Sequence, residues 1–262
     1  MKTNKLRNAI APFLLTASAV VSAQMVSEAG VGGQAGTFNG GPAVLYDQTG
    51  AAPNGNGSPD QNFEAGFDAY DGFIADDFVV TDADGWLITQ VNTVGTYSTT
   101  GPATSTNVSF HADAGGSPDP TPIAGCDFPA ATILSDTGGS FVIDLGAGCV
   151  VPQGTAWISH QTNLDFGAGG QHFFSGTATI SGSEGHFLNP GDGFGTGCTT
   201  FQPAGSVCGT GGGAAHDFLF SVSGSVAPPQ GPPPLVPTLT WYGLGLMLLT
   251  FGFLGRRFIK ND

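Results

Sequence analysis

Six carboxylates, Asp68, Asp71, Asp76, Asp77, Asp82 and Asp84, fall within 17 residues of this chain. Calcium gathers about six to eight hard oxygens, and Asp82-Ala83-Asp84-Gly85 matches part of a calcium loop. The rest of that loop is missing. No third Asp or Asn ligand precedes Gly85, and Gln90, Asn92 and Thr93 do not supply the closing glutamate. Two readings therefore compete at Asp82 and Asp84: a calcium site, and a turn that joins a strand ending at Val80 to one starting at Trp86 as a hairpin. In a strand, Asp76 shares a face with Phe78 and Val80, so one of Asp76 and Asp77 points inward and needs hydrogen-bond partners.

The five histidines, His111, His160, His172, His186 and His216, show neither His-x-His nor His-Glu-x-x-His spacing, which excludes the usual zinc protease. The sequence reads them as surface or strand-end side chains. There is no Gly-x-Ser-x-Gly elbow, and the only glutamates are Glu28, Glu64 and Glu184. No catalytic carboxylate pair stands out, so the chain reads as a non-enzyme with no required cofactor beyond the calcium option. The remaining chemistry is aromatic. Of 20 Phe, 3 Trp and 4 Tyr, most must fill a core. Tyr70, Phe73, Phe166, Phe194 and Phe201 are expected in loops, where exposed rings would stack on sugars or contact a protein. The competing placement packs Phe194 and Phe201 beneath a Cys198 to Cys208 loop.

Charge narrows the ligand class. All six basic residues, Lys2, Lys5, Arg7, Arg256, Arg257 and Lys260, lie near the two ends, so residues 24–235 carry no Lys or Arg and 19 acids. Nucleic acid is excluded as a partner, because phosphate binding needs Lys and Arg to release counterions. Anionic headgroups are disfavoured in the same way. Neutral sugars, divalent cations and cationic surfaces stay compatible.

The elements that must position these groups are short strands. Val108, Phe110 and Ala112 share one face of a period-two run, as do Phe141, Ile143 and Leu145, and Phe218, Phe220 and Val222. Turn signals such as Asn54-Gly55, Thr137-Gly138-Gly139 and Gly211-Gly212-Gly213 separate them. Strands are expected near 43–47, 74–80, 86–98, 106–112, 140–146, 154–162, 171–180 and 216–224. The fold class is all-β: a single jelly-roll-like β-sandwich domain over residues 42–225. Residues 24–41 and 48–61, rich in Gly, Asn and Pro, are expected as loop outside the sandwich. Residues 226–237 hold six prolines, which favour a stiff polyproline spacer. Cys126, Cys149, Cys198 and Cys208 permit three disulfide pairings. Short separations favour Cys126 with Cys149 and Cys198 with Cys208, while a four-cysteine metal site lacks its usual Cys-x-x-Cys pairs.

The ends read as targeting segments. Residues 1–23 have a basic start, an apolar run from Ala9 to Val21 and a Val21-Ser22-Ala23 cleavage site, the pattern of a signal peptide. In residues 238–262, the uncharged stretch from Leu239 to Gly255 would form a helix about 25 Å long, against a hydrocarbon core of about 30 Å. Arg256, Arg257 and Lys260 beyond it fit a cytoplasmic stop. Val236-Pro237-Thr238-Leu239, then Trp241-Tyr242-Gly243, an apolar helix and an Arg pair resemble the C-terminal sorting tails of the PEP-CTERM group, of the IPTL-CTERM variety. That resemblance implies recognition and cleavage by an exosortase-type enzyme. The precursor would be anchored in the inner membrane, and its body then delivered to the cell surface or released. A plain single-span anchor is the alternative, with the same topology.

The body also has a resemblance of its own. Ala75-Asp76-Asp77-Phe78, Trp86, His111-Ala112-Asp113-Ala114-Gly115-Gly116, Asn189-Pro190-Gly191-Asp192-Gly193-Phe194-Gly195 and Asp217-Phe218-Leu219-Phe220 are similar to a β-sandwich domain that recurs in exported bacterial proteins with sorting tails. It implies the fold and no activity. The expected function is that of a surface-sorted, non-enzymatic protein of the extracellular matrix, serving adhesion or glycan binding. The alternatives are a secreted polysaccharide hydrolase and a coat protein with no discrete ligand.

Overall fold

A computed structural model describes residues 42–229. The expected signal peptide, the 24–41 segment, most of the proline-rich spacer and the sorting tail with Val236, Pro237, Thr238, Leu239, Arg256 and Arg257 lie outside the described residues. Among the described residues, no helix is long and apolar enough to cross a membrane.

The fold is all-β. In chain order the strands are β1 (Ala43–Asp47), β2 (Pro53–Pro59), β3 (Gln61–Asn62), β4 (Phe73–Val80), β5 (Trp86–Thr93), β6 (Gly95–Tyr97), β7 (Ser105–Asp113) and β8 (Pro118–Thr137). They continue with β9 (Ser140–Val151), β10 (Gly154–Asn163), β11 (His172–Thr177), β12 (His186–Leu188), β13 (Gln202–Pro203), β14 (Asp217–Phe218) and β15 (Phe220–Val226). A short α-helix, α1 (Phe166–Gly169), joins β10 to β11, and a single 3-10 turn (Asp68–Tyr70) lies between β3 and β4. An eleven-stranded sheet runs β1-β15-β5-β9-β8-β7-β10-β4-β12-β13, with β3 alongside β10. A four-stranded sheet runs β14-β11-β2, with β6 also on β11.

The large sheet turns a corner inside β8. Up to Ala131 this strand pairs with β7, and from Thr132 it pairs with β9. Register shifts mark the change, and Ala130 adopts a positive φ of 55° with its N–H held by Asn107 Oδ1 at 3.0 Å. Bulges of this kind bend a strand and sharpen its twist. The two halves of the sheet consequently face each other. Phe78 on β4 lies 6.2 Å from Trp86 on β5 and 6.2 Å from Phe220 on β15, although four strands separate β4 from β5 in the sheet order. Burying each such ring stabilises the fold by about 1.5–3 kcal/mol. The disulfide Cys126–Cys149 ties β8 to β9 at the corner, and Cys198–Cys208 closes the loop after β12.

Each of the eight expected strand regions contains a strand, and the three expected apolar faces lie in the core except for the exposed Ala112. Two expectations are corrected. Residues 48–61 are not loop: β2 pairs with β11, Ser58↔Phe174 and Gly57↔Ser175, and Asp60 is fully buried. The sequence Pro53-Asn54-Gly55-Asn56-Gly57-Ser58-Pro59 has no apolar alternation to reveal this. Its glycine is what permits the pairing, since a Cβ on Gly57 would stand 2.8 Å from Phe173 Cβ. The second correction concerns Asp82 to Gly85. That turn is no hairpin, because β4 and β5 are not paired; it carries the chain from one half of the sheet to the facing half.

Candidate ligand-binding cleft

At the end of β10 the chain forms an open cleft of about 270 Å³ between β3, the 101–104 loop and α1. Asn62 and Asn163 in its lining are the end of a ladder of amides. Asn62 Nδ2 donates to Asn163 Oδ1 at 2.9 Å, and Asn163 and Asn107 exchange amide bonds at 3.1 and 3.2 Å. Asn107 Nδ2 also donates to Gln161 Oε1 at 2.8 Å, and Asn163 Nδ2 to Ser105 Oγ at 2.9 Å. The ladder exists because Ser105, Asn107, Gln161 and Asn163 fall on alternate positions of β7 and β10, which pair Asn163↔Ser105 and Gln161↔Asn107. Apolar lining comes from Pro102 and Ala168 and from Phe63 and Leu164, the last two largely buried.

The walls are fixed by hydrogen bonds. Gln61 Nε2 donates to the carbonyls of Leu164 (2.6 Å) and Gly170 (3.1 Å), while its Oε1 accepts from His172 N at 2.7 Å. Gly101 N donates to Gly169 O and Thr104 N to Asn163 O. Beside the cleft runs a chain of rings: Phe63 touches Phe166, Phe166 touches Phe67, Phe67 touches Tyr70, and Tyr70 touches Phe194 edge-on at 5.4 Å. Of the five aromatics singled out in the sequence, Tyr70, Phe166 and Phe194 meet here, all half-buried. Phe201 sits apart against His111, and Phe73 starts β4.

Below the cleft, Asp60 bridges two histidines: its Oδ1 is 2.6 Å from His172 Nδ1 and its Oδ2 is 2.8 Å from His160 Nδ1, all with fully buried side chains. His172 Nε2 also lies 2.8 Å from the Gly139 carbonyl. Both ring nitrogens thus face acceptors, which calls for the imidazolium. Burial works to lower the His172 pKa, but Asp60, aided by the carbonyl, outweighs it and raises the pKa. For His160 burial wins and the pKa falls, leaving a neutral ring whose Nε2 has no partner. For Asp60 burial works upward, and the two histidines overcome it and hold the carboxyl below its usual range. All five histidines are buried, so the surface placement read from sequence is corrected. With no Lys or Arg in residues 24–235, imidazole is the only side chain there that can neutralise an interior carboxylate.

A second interior cluster has no such counter-charge. Asp76 and Asp77 are both buried, one on each face of β4, together with Asp217. Asp76 Oδ2 accepts from Phe218 N at 2.7 Å and Gln48 Nε2 at 2.8 Å. Asp217 accepts from Ser181 N and Gly185 N, and Asp77 from Ser183 N, so these carboxyls hold the 181–185 loop. Burial, then the charge of Asp217, raises the Asp76 pKa well above the carboxylate range. Burial, with help from the charge of Asp77, pushes Asp217 to about 7. Burial, then the charge of Asp113, pushes Asp77 to about 6.

The glutamates in the described residues anchor loops. Glu64 accepts from Phe166 N (2.6 Å) and Gly167 N (3.3 Å), and Glu184 from Gly205 N, Ser206 N and Ser206 Oγ. Burial works to raise the Glu64 pKa, and the backbone N–H groups prevail and lower it. Asp82 accepts the indole N–H of Trp86, its carbonyl accepts Gly85 N at 2.9 Å, and Asp84 is exposed. Among the described residues, no group of three or more His, Cys, Asp and Glu side chains is placed to hold a metal ion.

The chain matches no protein-family model and no curated protein. Among solved structures it is similar to the cysteine protease and lectin-like domains of Cwp84, a surface layer associated protein of Clostridium difficile. The identity is 10%, the TM-score 0.40, and the likeness covers 60% of this chain. The chain spans about a third (32%) of the length of that structure. A likeness of this degree establishes neither a shared ligand nor a shared activity.

The sequence reading missed Asn62, Asn107, Asn163 and Asp165. Asn107 alternates with the apolar Val108 and Phe110 face and was legible as an outward residue. Its partners were not, because strand register sets them.

Proposed function

We propose that this is an exported, surface-sorted, jelly-roll-like β-sandwich protein that binds a neutral glycan without turning it over. The observation that carries the reading is the cleft, where an amide ladder abuts Phe63 and Leu164 with no cationic side chain nearby. Amides that donate and accept beside an apolar surface match a sugar ring, which has hydroxyls at its edge and C–H groups on its faces. The anionic body disfavours acidic polymers, and the two disulfides suit an oxidising exterior. Sorting through the C-terminal tail by an exosortase-type enzyme, from an inner-membrane-anchored precursor, completes the proposal.

The hydrolase alternative needs an accessible carboxylic acid that is protonated near neutral pH. Glu64 is held ionised, and Asp76, Asp77 and Asp217, whose pKa values are raised, are sealed in the interior. Burial also raises the pKa of the half-buried Asp71, but its carboxylate is engaged by Phe63 N at 2.8 Å and does not line the cleft. The test is an array of neutral and acidic polysaccharides probed with the full-length protein, with reducing ends measured after long incubation. Retention on neutral glycans without new reducing ends supports the proposal. Release of reducing ends refutes its non-enzymatic part, and absence of any binding refutes it altogether.

A further inference from the structure

Asp165 occupies the N-cap position of α1, where an aspartate normally accepts a backbone N–H from the first turn. Here it makes no such bond. Glu64 takes the Phe166 and Gly167 N–H groups instead, reaching across from the segment after β3. The carboxylate of Asp165 is thereby released from the helix, exposed, and left lining the cleft beside Asn62.

Asn62 is oriented by the ladder. One of its amide hydrogens is committed to Asn163 Oδ1, which leaves its carbonyl oxygen and second N–H free. Asn163 itself is saturated: Oδ1 accepts from Asn62 and Asn107, and Nδ2 donates to Ser105 and Asn107. The cleft therefore offers one acceptor-only group, Asp165, and one group that both donates and accepts, Asn62, in a lining that also holds Phe63 and Leu164.

Resting on the glycan reading above, we infer that the cleft binds a neutral pyranose through two adjacent hydroxyls, directly and without a metal ion. One hydroxyl donates to the Asp165 carboxylate. Its neighbour donates to Asn62 Oδ1 and accepts from the free Asn62 N–H. The C–H face of the ring lies against Phe63 and Leu164. A volume of about 270 Å³ is just below the roughly 300–1,000 Å³ of sites for drug-sized ligands, which suits a single ring of a chain that continues into solvent. Uronic acids are excluded, because their carboxylate would meet that of Asp165 with no cation between them.

The experiment is titration of the full-length protein with the methyl glycosides of glucose, galactose and mannose, their uronate counterparts, and deoxy analogues lacking one hydroxyl of an adjacent pair. It is repeated with a chelator and with Asp165→Asn and Asn62→Ala. Expected are binding of at least one neutral glycoside, a tenfold or greater loss for its uronate and one deoxy analogue, and a similar loss in both variants. A chelator should change nothing, and the melting temperature of Asp165→Asn should match the parent, since no fold contact is removed. Binding that survives both substitutions overturns the inference while leaving glycan binding at another surface intact. Binding abolished by chelation overturns the metal-free geometry. If no saccharide binds here or on the polysaccharide array, the glycan reading fails with it.

Discussion

Replacing Asp217 by Asn separates the two effects that act on the buried acids. The native pKa of about 7 lies above the ordinary 3.8, so the folded state holds this proton more tightly than the unfolded chain does. The stability this lends is complete below pH 3.8 and is lost as pH rises through about 7. Between pH 5 and pH 7 the loss is two pH units at about 1.4 kcal/mol each, or roughly 3 kcal/mol. Coupling to Asp76 and Asp77, and partial screening, reduce the part due to Asp217 to on the order of 1–2 kcal/mol. An asparagine cannot titrate. Its single carbonyl can accept from Ser181 N or Gly185 N but not both, which costs about 1–3 kcal/mol at any pH. Urea unfolding of the oxidised full-length protein, followed by the fluorescence of Trp86 and Trp157, should show Asp217→Asn clearly less stable than the parent at pH 5. By pH 8 the gap should shrink by on the order of 1–2 kcal/mol. The histidines titrate in both proteins and cancel in the difference. An equal gap at the two pH values would refute the assignment of a neutral carboxyl at Asp217.

Removing one partner of the buried Asp60–His172 pair by His172→Gln should cost about 3–5 kcal/mol in urea unfolding at pH 6. Because the native His172 pKa is raised, the parent should lose this advantage as pH climbs from about 6.5 through the raised value, whereas the variant should not. Reduction of Cys126–Cys149 and Cys198–Cys208 should lower stability by roughly 3 kcal/mol per bridge on the chain-entropy account, measured by thermal unfolding with and without reductant. Gly57→Ala should destabilise by about 1–3 kcal/mol, since the new Cβ meets Phe173 Cβ at 2.8 Å; a melting temperature unchanged from the parent would contradict the close pairing of β2 with β11. Asp82→Ala should lower stability by about 1 kcal/mol through loss of the Trp86 acceptor. Millimolar calcium should leave the melting temperature of the parent unchanged, and a rise that Asp82→Ala abolishes would favour a metal site instead.

Period-two patterning made most strands legible, because Phe110, Phe141 and Phe220 each repeat with an apolar neighbour two positions away. It failed for β2 and β8 for opposite reasons. The Gly and Asn residues of β2 mimic a loop, and only the Phe173 and Phe174 backbone they lie against reveals why small residues are needed there. The longest strand, β8, carries Pro118, Pro120, Pro122 and Pro129, which argue against a strand from sequence, yet register shifts along its pairing with β7 accompany the first three, and Pro129 stands next to the corner. The loop aromatics were recognisable as a class. The amide ladder was not, since Asn62 meets Asn163 across a sequence separation of 101. Nor was the release of Asp165 legible, because it depends on Glu64 arriving from the segment after β3, about 100 residues earlier in the chain.

The shared strand β8 bears on how this protein comes apart. Two separate sheets could melt in turn, each leaving the other intact. Here the strand that borders one half at Ala131 borders the other half from Thr132, and Cys126–Cys149 staples it on the β9 side. Loss of either half as a whole must therefore bare one edge of β8, the strand on which its counterpart is built. The large sheet should accordingly exchange its amide hydrogens as one cooperative unit, with β7, β8 and β9 the last to open.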